Sequence, residues 1–512
     1  MWLSSVVERN RIRHPHRVAL RDSRREVDWT DLHAEVGALA RELSRRVPVG
    51  GRVAVVSGNR LEMIETYLAC AAAGLLAVPV NPALTAAELA GILEGVDPAL
   101  AVADRAARTR LADEHPDLAT LAIEDVELLA TAESDAAEPA TAPGPPSAAD
   151  TLTGPFAILH TSATTGRPKG VLVDQRSVQT KALSWLAEVG CGPDTVFLNA
   201  CPLFHGSVVN ALAYLAAGAT LCVLDEFTPR ACLTALQDWH VQHVMVVPSM
   251  VRLLLQARQL ATTDLKALDL IVHAAAPMPP ELAEQAAIGF GADLLAIYGI
   301  TEGGGPSLAL YPADRPGPAP VTGATCVGLP LLGVGARIVR EDGAETGPGE
   351  IGELQLAGDG LMLEYWHNPE ATAETVQDGW LRTRDLGCRD AEGYFWLVDR
   401  RNDLILRGGQ NVYPAEIEET LRRSPQVADV AVVPVRSELW GQSPVAFVQP
   451  TAPGEFDEAA LLDLCVTRLA SYKRPVRFVP VDAIPRTPAG KILRARLRER
   501  AEALAATTEA GS

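Results

Sequence analysis

Short, unbroken apolar runs alternate with stretches whose apolar residues recur every three or four positions. This alternation restricts the chain more than any other feature. RVAVVSG at 52–58 and LLAVPVN at 75–81 have the length and β-branching of buried strands, and LEMIETYLACAAAG between them has helical spacing. A helix between two strands carries the chain back across the sheet, so the strands run parallel with helices on the faces. Residues 31–46 predict another helix. The pattern resumes with FAILHTS at 156–162, a helix over 177–188, and strands near 196–200, 220–224, 244–247 and 270–274. Between the two series, residues 131–150 hold four prolines and no large apolar side chain, which predicts an exposed or partly disordered loop.

From about residue 322 the character changes to short strands with glycine turns (GARIVR, GEIGELQLAG, GYFWLVD), the pattern of a small β-barrel or antiparallel unit over 322–398. Near 403 a new cycle begins. Helices are expected over 414–423 and 458–469, and VADVAVVPV and PVAFVQP read as strands. Some 110 residues with their own helices and strands suffice for an independent unit, so the chain divides into 1–400 and 401–512.

Charge and cysteine usage narrow the function. A formal net charge of −19 repels nucleic acid and anionic membrane, so an anionic ligand must be gripped by local donors, basic residues or a metal. The eight cysteines form no CxxC pair and lie mostly among apolar neighbours, which predicts reduced, packed thiols in a reducing compartment. Residues 1–17 contain no apolar signal-like core. The longest apolar run, YLACAAAGLLAVPV, is too short to span a bilayer, so a cytoplasmic protein is expected.

HTSATTGRPKG at 160–170 follows an apolar strand yet cannot itself build a core. Its glycines permit close backbone approach, while successive N–H groups, hydroxyls and Lys169 make a donor-rich cradle for a phosphate oxyanion. The pattern is not the Walker one. Taken alone, the stretch favours that cradle over the alternative of a solvated hairpin.

The stretch resembles the phosphate loop of the adenylate-forming superfamily, which includes acyl-CoA synthetases, firefly luciferase and peptide-synthetase adenylation domains. Further resemblances follow in order along the chain: PLFHG at 202–206, AAAPMP at 274–279, YGITE at 298–302, TRD at 383–385, DRRNDLILRGGQNVYPAEIE at 399–418 and PRTPAGK at 485–491. The resemblance implies two α/β subdomains and a barrel followed by a small mobile α+β domain. It also implies attack of an acid on the α-phosphorus of ATP to give an acyl-adenylate, then displacement of AMP by a second nucleophile.

Residue by residue, the resemblance places Thr161, Ser162, Thr164, Thr165, Gly166 and Lys169 on the β- and γ-phosphates. Glu302 and Thr165 would hold Mg²⁺, and Thr301 would contact phosphate. Tyr298 would stack by the adenine beside Ala275, Ala276 and Pro277. Asp385 and Arg400 would bind the ribose. Lys491 would reach between the carboxylate and the α-phosphate. His205 would gate an acid pocket bordered by Ser207, Val208, Ala211, Ala274, Met278, Gly303 and Gly304. Gly408 and Gly409 would let the pantetheine of coenzyme A pass, with Lys473 near its nucleotide.

Four positions depart from the family pattern: Ala163, Ala274 and Arg384 stand where glycine is usual, and Asn402 where Asp or Lys is usual. None removes a charge that the chemistry uses. No aspartate follows PLFHG to pair with a substrate ammonium, so a fatty or aryl acid fits better than an amino acid. Coenzyme A is the expected acceptor; a carrier protein, an amine or another small nucleophile is the alternative, and a catalytically degraded nucleotide-binding relative is a further one. Two other patterns carry less. The GxGxxG of Gly347, Gly349 and Gly352 precedes a strand rather than a helix and reads as a hairpin turn. His240 and His243 have no third metal ligand nearby in sequence.

Overall fold

A computed structural model describes residues 2–126, 129, 154–161, 169–314, 316–322, 324–400, 403, 405–407, 410–437, 440–452, 454–469, 471–487 and 490–509. The proline-rich stretch expected over 131–150 lies outside them.

Three sheets organise the described chain, of 14, seven and five strands. In the largest, Val18–Arg21, Thr220–Val223, Val196–Asn199, His243–Val246, Leu270–His273 and Asp293–Ile300 run parallel. The second carries Leu76–Val80, Arg52–Val56 and Leu100–Ala103 in parallel, with Pro155–His160 joining Leu76–Val80. The strand–helix alternation of the sequence therefore produces the parallel sheets expected of it. Helix ends follow local chemistry. Leu61–Ala73 stops where Gly74 takes φ 69°, and Ala86–Val96 starts with a reciprocal Thr85–Glu88 capping box.

The strands expected to form a small barrel take another course. Gly305–Leu310, Thr325–Pro330, Phe395–Arg400, Trp380–Arg389, Gly352–Ala357 and Gly335–Val339 extend the large sheet antiparallel from Asp293–Ile300. Among the described residues no barrel closes, because Gly335–Val339 ends the row. Short strands and glycine turns specify antiparallel neighbours but not closure, which depends on long-range curvature.

The carboxy-terminal sheet pairs Val427–Ser437 with Gly441–Pro450 and has an apolar core on each face. Val430 and Val432 pack with Ile417, Leu421 and Leu461, while Ala431 and Val433 pack with Phe447, Leu497 and Ala501. This two-residue period follows from pleating, and helices cover both faces. All eight cysteines are unpaired, as expected. Burial alone pushes the thiols of Cys70 and Cys201 up to about 12. No described helix is long and apolar enough to cross a membrane.

Candidate active site

The segment 160–170 links the antiparallel strands Pro155–His160 and Gly170–Asp174. His160 lies opposite Gly170, and Thr161 N donates to Lys169 O at 3.1 Å, which closes the ends of the loop. Ser162, Ala163, Thr164, Thr165 and Gly166 lie outside the described residues. Lys169 holds its ammonium 4.6 Å from the ring centre of Tyr365. Tyr365 belongs to the two-residue strand Glu364–Tyr365, which pairs with Gly170–Asp174. Its hydroxyl donates to Glu302 Oε1 at 2.7 Å. Burial and then the neighbouring Glu302 charge raise the phenol's pKa, so it stays protonated as a donor. Lys169 and Glu302, 133 positions apart, thus share one aromatic side chain that local sequence did not single out.

The turn carrying Glu302 is built from glycines. Thr301–Gly303 forms one 3₁₀ turn, and Gly304 follows at φ 71°. A Cβ on Gly304 would come within 1.9 Å of Gly360 O, so no other residue fits.

A second pair of expected residues also meets. Tyr298 donates its hydroxyl to Asp385 Oδ2 at 2.6 Å, and both side chains are buried. Thr383 fixes the approach: its hydroxyl donates to Leu354 O at 2.7 Å and accepts from Asp385 N at 3.1 Å. Arg400 lies opposite Asp385 in the antiparallel register of Trp380–Arg389 and Phe395–Arg400. Ala274, Ala275, Ala276 and Pro277 leave the carboxyl end of strand Leu270–His273. Ala275 takes φ 70° there and is exposed. Such a crevice beyond strand carboxyl ends is where open α/β sheets bind ligands. Arg384, in the usual glycine position, adopts φ 61°.

On the acid side, PLFHG forms a tight turn into helix Ser207–Ala217. Tyr67 donates to Leu203 O at 2.9 Å, and Asn59 donates to Cys201 O at 2.9 Å and accepts from Leu203 N at 2.8 Å. His205 sits edge-on to Phe204 with ring centres 4.7 Å apart, and burial lowers its pKa. The Ser207 hydroxyl donates to Pro202 O at 2.6 Å and so braces the turn. Val208, Ala211 and Met278 are buried, as are Gly303 and Gly304.

Lys491 occupies a loop closed by Thr487 N donating to Lys491 O at 2.7 Å and by an Arg486–Ile492 bridge. That loop touches the large lobe. A Cβ on Gly490 would lie 3.2 Å from Ser249 Oγ and 3.4 Å from Val247 Cγ2, beside strand His243–Val246. Lys473 instead donates to Glu416 Oε1 at 2.7 Å inside the small lobe, so its charge is already countered. Gly408, Gly409 and Asn402 lie outside the described residues. His243 is occupied by Tyr214 OH at 2.9 Å, and Gly347 and Gly349 lie in the turn before strand Gly352–Ala357.

A lysine-bearing hairpin, a buried tyrosine–carboxylate pair, and a small lobe whose lysine loop meets the large lobe beside Ser249 and Val247 are the parts of an adenylate-forming enzyme. The chain belongs to the AMP-binding enzymes: that family's model matches residues 7–366, and the model of its C-terminal domain matches 416–491. It is 35% identical to a fatty acid–[acyl-carrier-protein] ligase, ScoC, of Streptomyces coeruleorubidus, over 93% of this chain and 92% of that protein. It is 33% identical to a feruloyl-CoA synthase of an Amycolatopsis species, over 95% of this chain and 96% of the other. ATP-bound MatB from Rhodopseudomonas palustris superposes with a TM-score of 0.87 at 28% identity, covering 97% and 98% of the two chains. The apo form of MatB superposes at 0.74, with 98% and 99% covered and 28% identity.

Proposed function

We propose that the protein condenses a carboxylic acid with ATP and passes the acyl group to the thiol of coenzyme A. A substrate carboxylate oxygen attacks the α-phosphorus, the bond to the bridging oxygen of pyrophosphate breaks, and an acyl-adenylate forms. The thiol sulfur then attacks the acyl carbon and AMP leaves. Carboxylate is a poor electrophile, and the mixed anhydride supplies a leaving group that makes the second step feasible.

The residues divide this work. Asp385, steadied by Tyr298 and Thr383, presents a carboxylate to the ribose hydroxyls, with Arg400 across the ladder. Ala275, Ala276 and Pro277 border the adenine. Thr161, Ser162, Thr164, Thr165, Gly166 and Lys169 neutralise the departing phosphates, and Lys491 the charge gathering at the α-phosphate. His205 stands at the mouth of the acid pocket, with Ala274, Met278, Gly303 and Gly304 further in. Mg²⁺ suits Glu302: Oε1 is held by Tyr365, and Oε2 has no hydrogen-bond partner among the described residues, which leaves a hard oxygen ligand. Thr165 would complete that side, and the ion would offset phosphate charge. Gly408 and Gly409 would line the pantetheine path, with Lys473 nearby.

The observation that carries the reading is the meeting of Lys169 and Glu302 on Tyr365, which supports assigning the cation to phosphate and the carboxylate to Mg²⁺. A carrier-protein thiol is the second reading, favoured by the likeness to ScoC. Incubation with ATP, Mg²⁺ and fatty, aryl and short acids should release pyrophosphate. Mass spectrometry of products formed with coenzyme A or a loaded carrier protein identifies the acceptor. Silence across the whole panel overturns the proposal.

A further inference from the structure

Helix Gln175–Val189 carries a lysine where a globular core normally has none. Lys181 is 3% exposed, on a helix that packs beside Ser207–Ala217 and strand Gly305–Leu310. Its side chain threads a gap that only glycines leave open. A Cβ on Gly360 would stand 2.5 Å from Lys181 Cε, and one on Gly304 would stand 3.8 Å from the same atom. The ammonium ends 3.1 Å from Ser307 Oγ, its one hydrogen bond among the described residues, and Ser307 in turn donates to Gly305 O at 3.3 Å. No described carboxylate pairs with it.

A buried cation with one neutral acceptor pays desolvation without compensation, so packing gives no reason for it. Methionine would fill the same channel at lower cost. A ligand gives a reason, because the ammonium lies behind Gly304 and Gly305, on the wall assigned to the acid. Val209 would meet a Cβ on Gly305 at 3.2 Å, and Asn210, next in sequence, keeps a buried Nδ2 without a partner among the described residues. Burial also lowers the pKa of Lys181 to about 8, and an anion placed against it would restore the charge.

We infer that Lys181 is a specificity-determining residue that pairs with a second carboxylate, remote from the one activated, so that the preferred acid is a dicarboxylic acid. The inference rests on the proposed acid activation and narrows its substrate. The free protons of the ammonium take the remote carboxylate oxygens while Ser307 holds the amine in place. An acid ending in a methyl group leaves those protons unpaired.

The test compares acids of equal length with and without a second carboxylate, aliphatic from four to ten carbons and aryl, by pyrophosphate release. The wild type should prefer the diacid by about 30-fold in kcat/KM. Lys181→Met should lose that preference and gain on the monoacid, with the KM for ATP unmoved. Equal loss on both acids, or a monoacid preference shared by wild type and variant, overturns the inference. If no acid releases pyrophosphate, acid activation itself fails, and thermal shift decides on Lys181 separately. A rise in Tm with diacid in the wild type and none in Lys181→Met sustains the site; no difference between them overturns it.

Discussion

Arg384 carries a cost that glycine would not. At φ 61° a side chain crowds its own carbonyl, a strain of roughly 1–2 kcal/mol outside glycine. The nearest counterweight is a 3.8 Å contact between two half-exposed groups, Arg384 and Glu374, which is worth little. Glycine also frees the unfolded chain, which offsets part of the gain. Arg384→Gly should therefore raise unfolding free energy by roughly 0.5–1 kcal/mol, seen as a higher denaturant midpoint at unchanged slope. Destabilisation would mean that Arg384 makes a contact stronger than the strain. At this scale the sequence was only partly legible. Asp385, Tyr298, Glu302 and Lys169 stand in recognisable stretches, but Tyr365 does not, because its partners come from remote segments that only the folded chain assembles.

At the scale of elements, apolar runs placed most strands within a residue or two, since burial on both faces leaves no ambiguity. The open antiparallel course taken by the strands expected to close a barrel, and the bracing of PLFHG by Asn59 and Tyr67, stayed hidden, because both depend on pairings between distant segments. Two strands share a further property: each ends in a histidine, the partly buried His160 in Pro155–His160 and the buried His273 in Leu270–His273. Desolvation pushes both down to about 4 from an ordinary 6.5, and His160 Nδ1 has no partner among the described residues. The unfolded chain then binds more protons than the folded one between pH 4 and 6.5. Stability is accordingly complete above about 6.5 and falls as pH drops toward 4, by up to about 3 kcal/mol for each histidine. Urea midpoints of a His160→Gln/His273→Gln double variant should be flatter across that window than those of the wild type. Parallel curves would show that carboxylates alone govern acid unfolding.

For the whole molecule, a smaller C-terminal domain was readable because a second set of helices and strands follows the large one. How the two lobes meet was not, because no local pattern encodes it. Their contact at Gly490 makes that meeting testable. With φ 79° and Ser249 and Val247 close by, Gly490 lets the Lys491 loop lie flat on the large lobe. The whole chain superposes on ATP-bound MatB with a TM-score of 0.87 and on apo MatB with 0.74. If adenylate formation requires this contact and thiol transfer does not, separating the lobes should affect the two half-reactions unequally. Gly490→Leu should slow pyrophosphate release by about 100-fold, since losing orientation at the reacting phosphorus forfeits a comparable factor. Consumption of a supplied acyl-adenylate with thiol should change by less than about threefold. Ser249→Phe presses on the same contact from the large lobe without altering backbone at residue 490, so it should reproduce the split. Lys491→Ala removes the charge while keeping the contact, and its split should match. Equal loss of both half-reactions in all three variants would mean that one arrangement of the lobes serves both steps, with Lys491 needed in each.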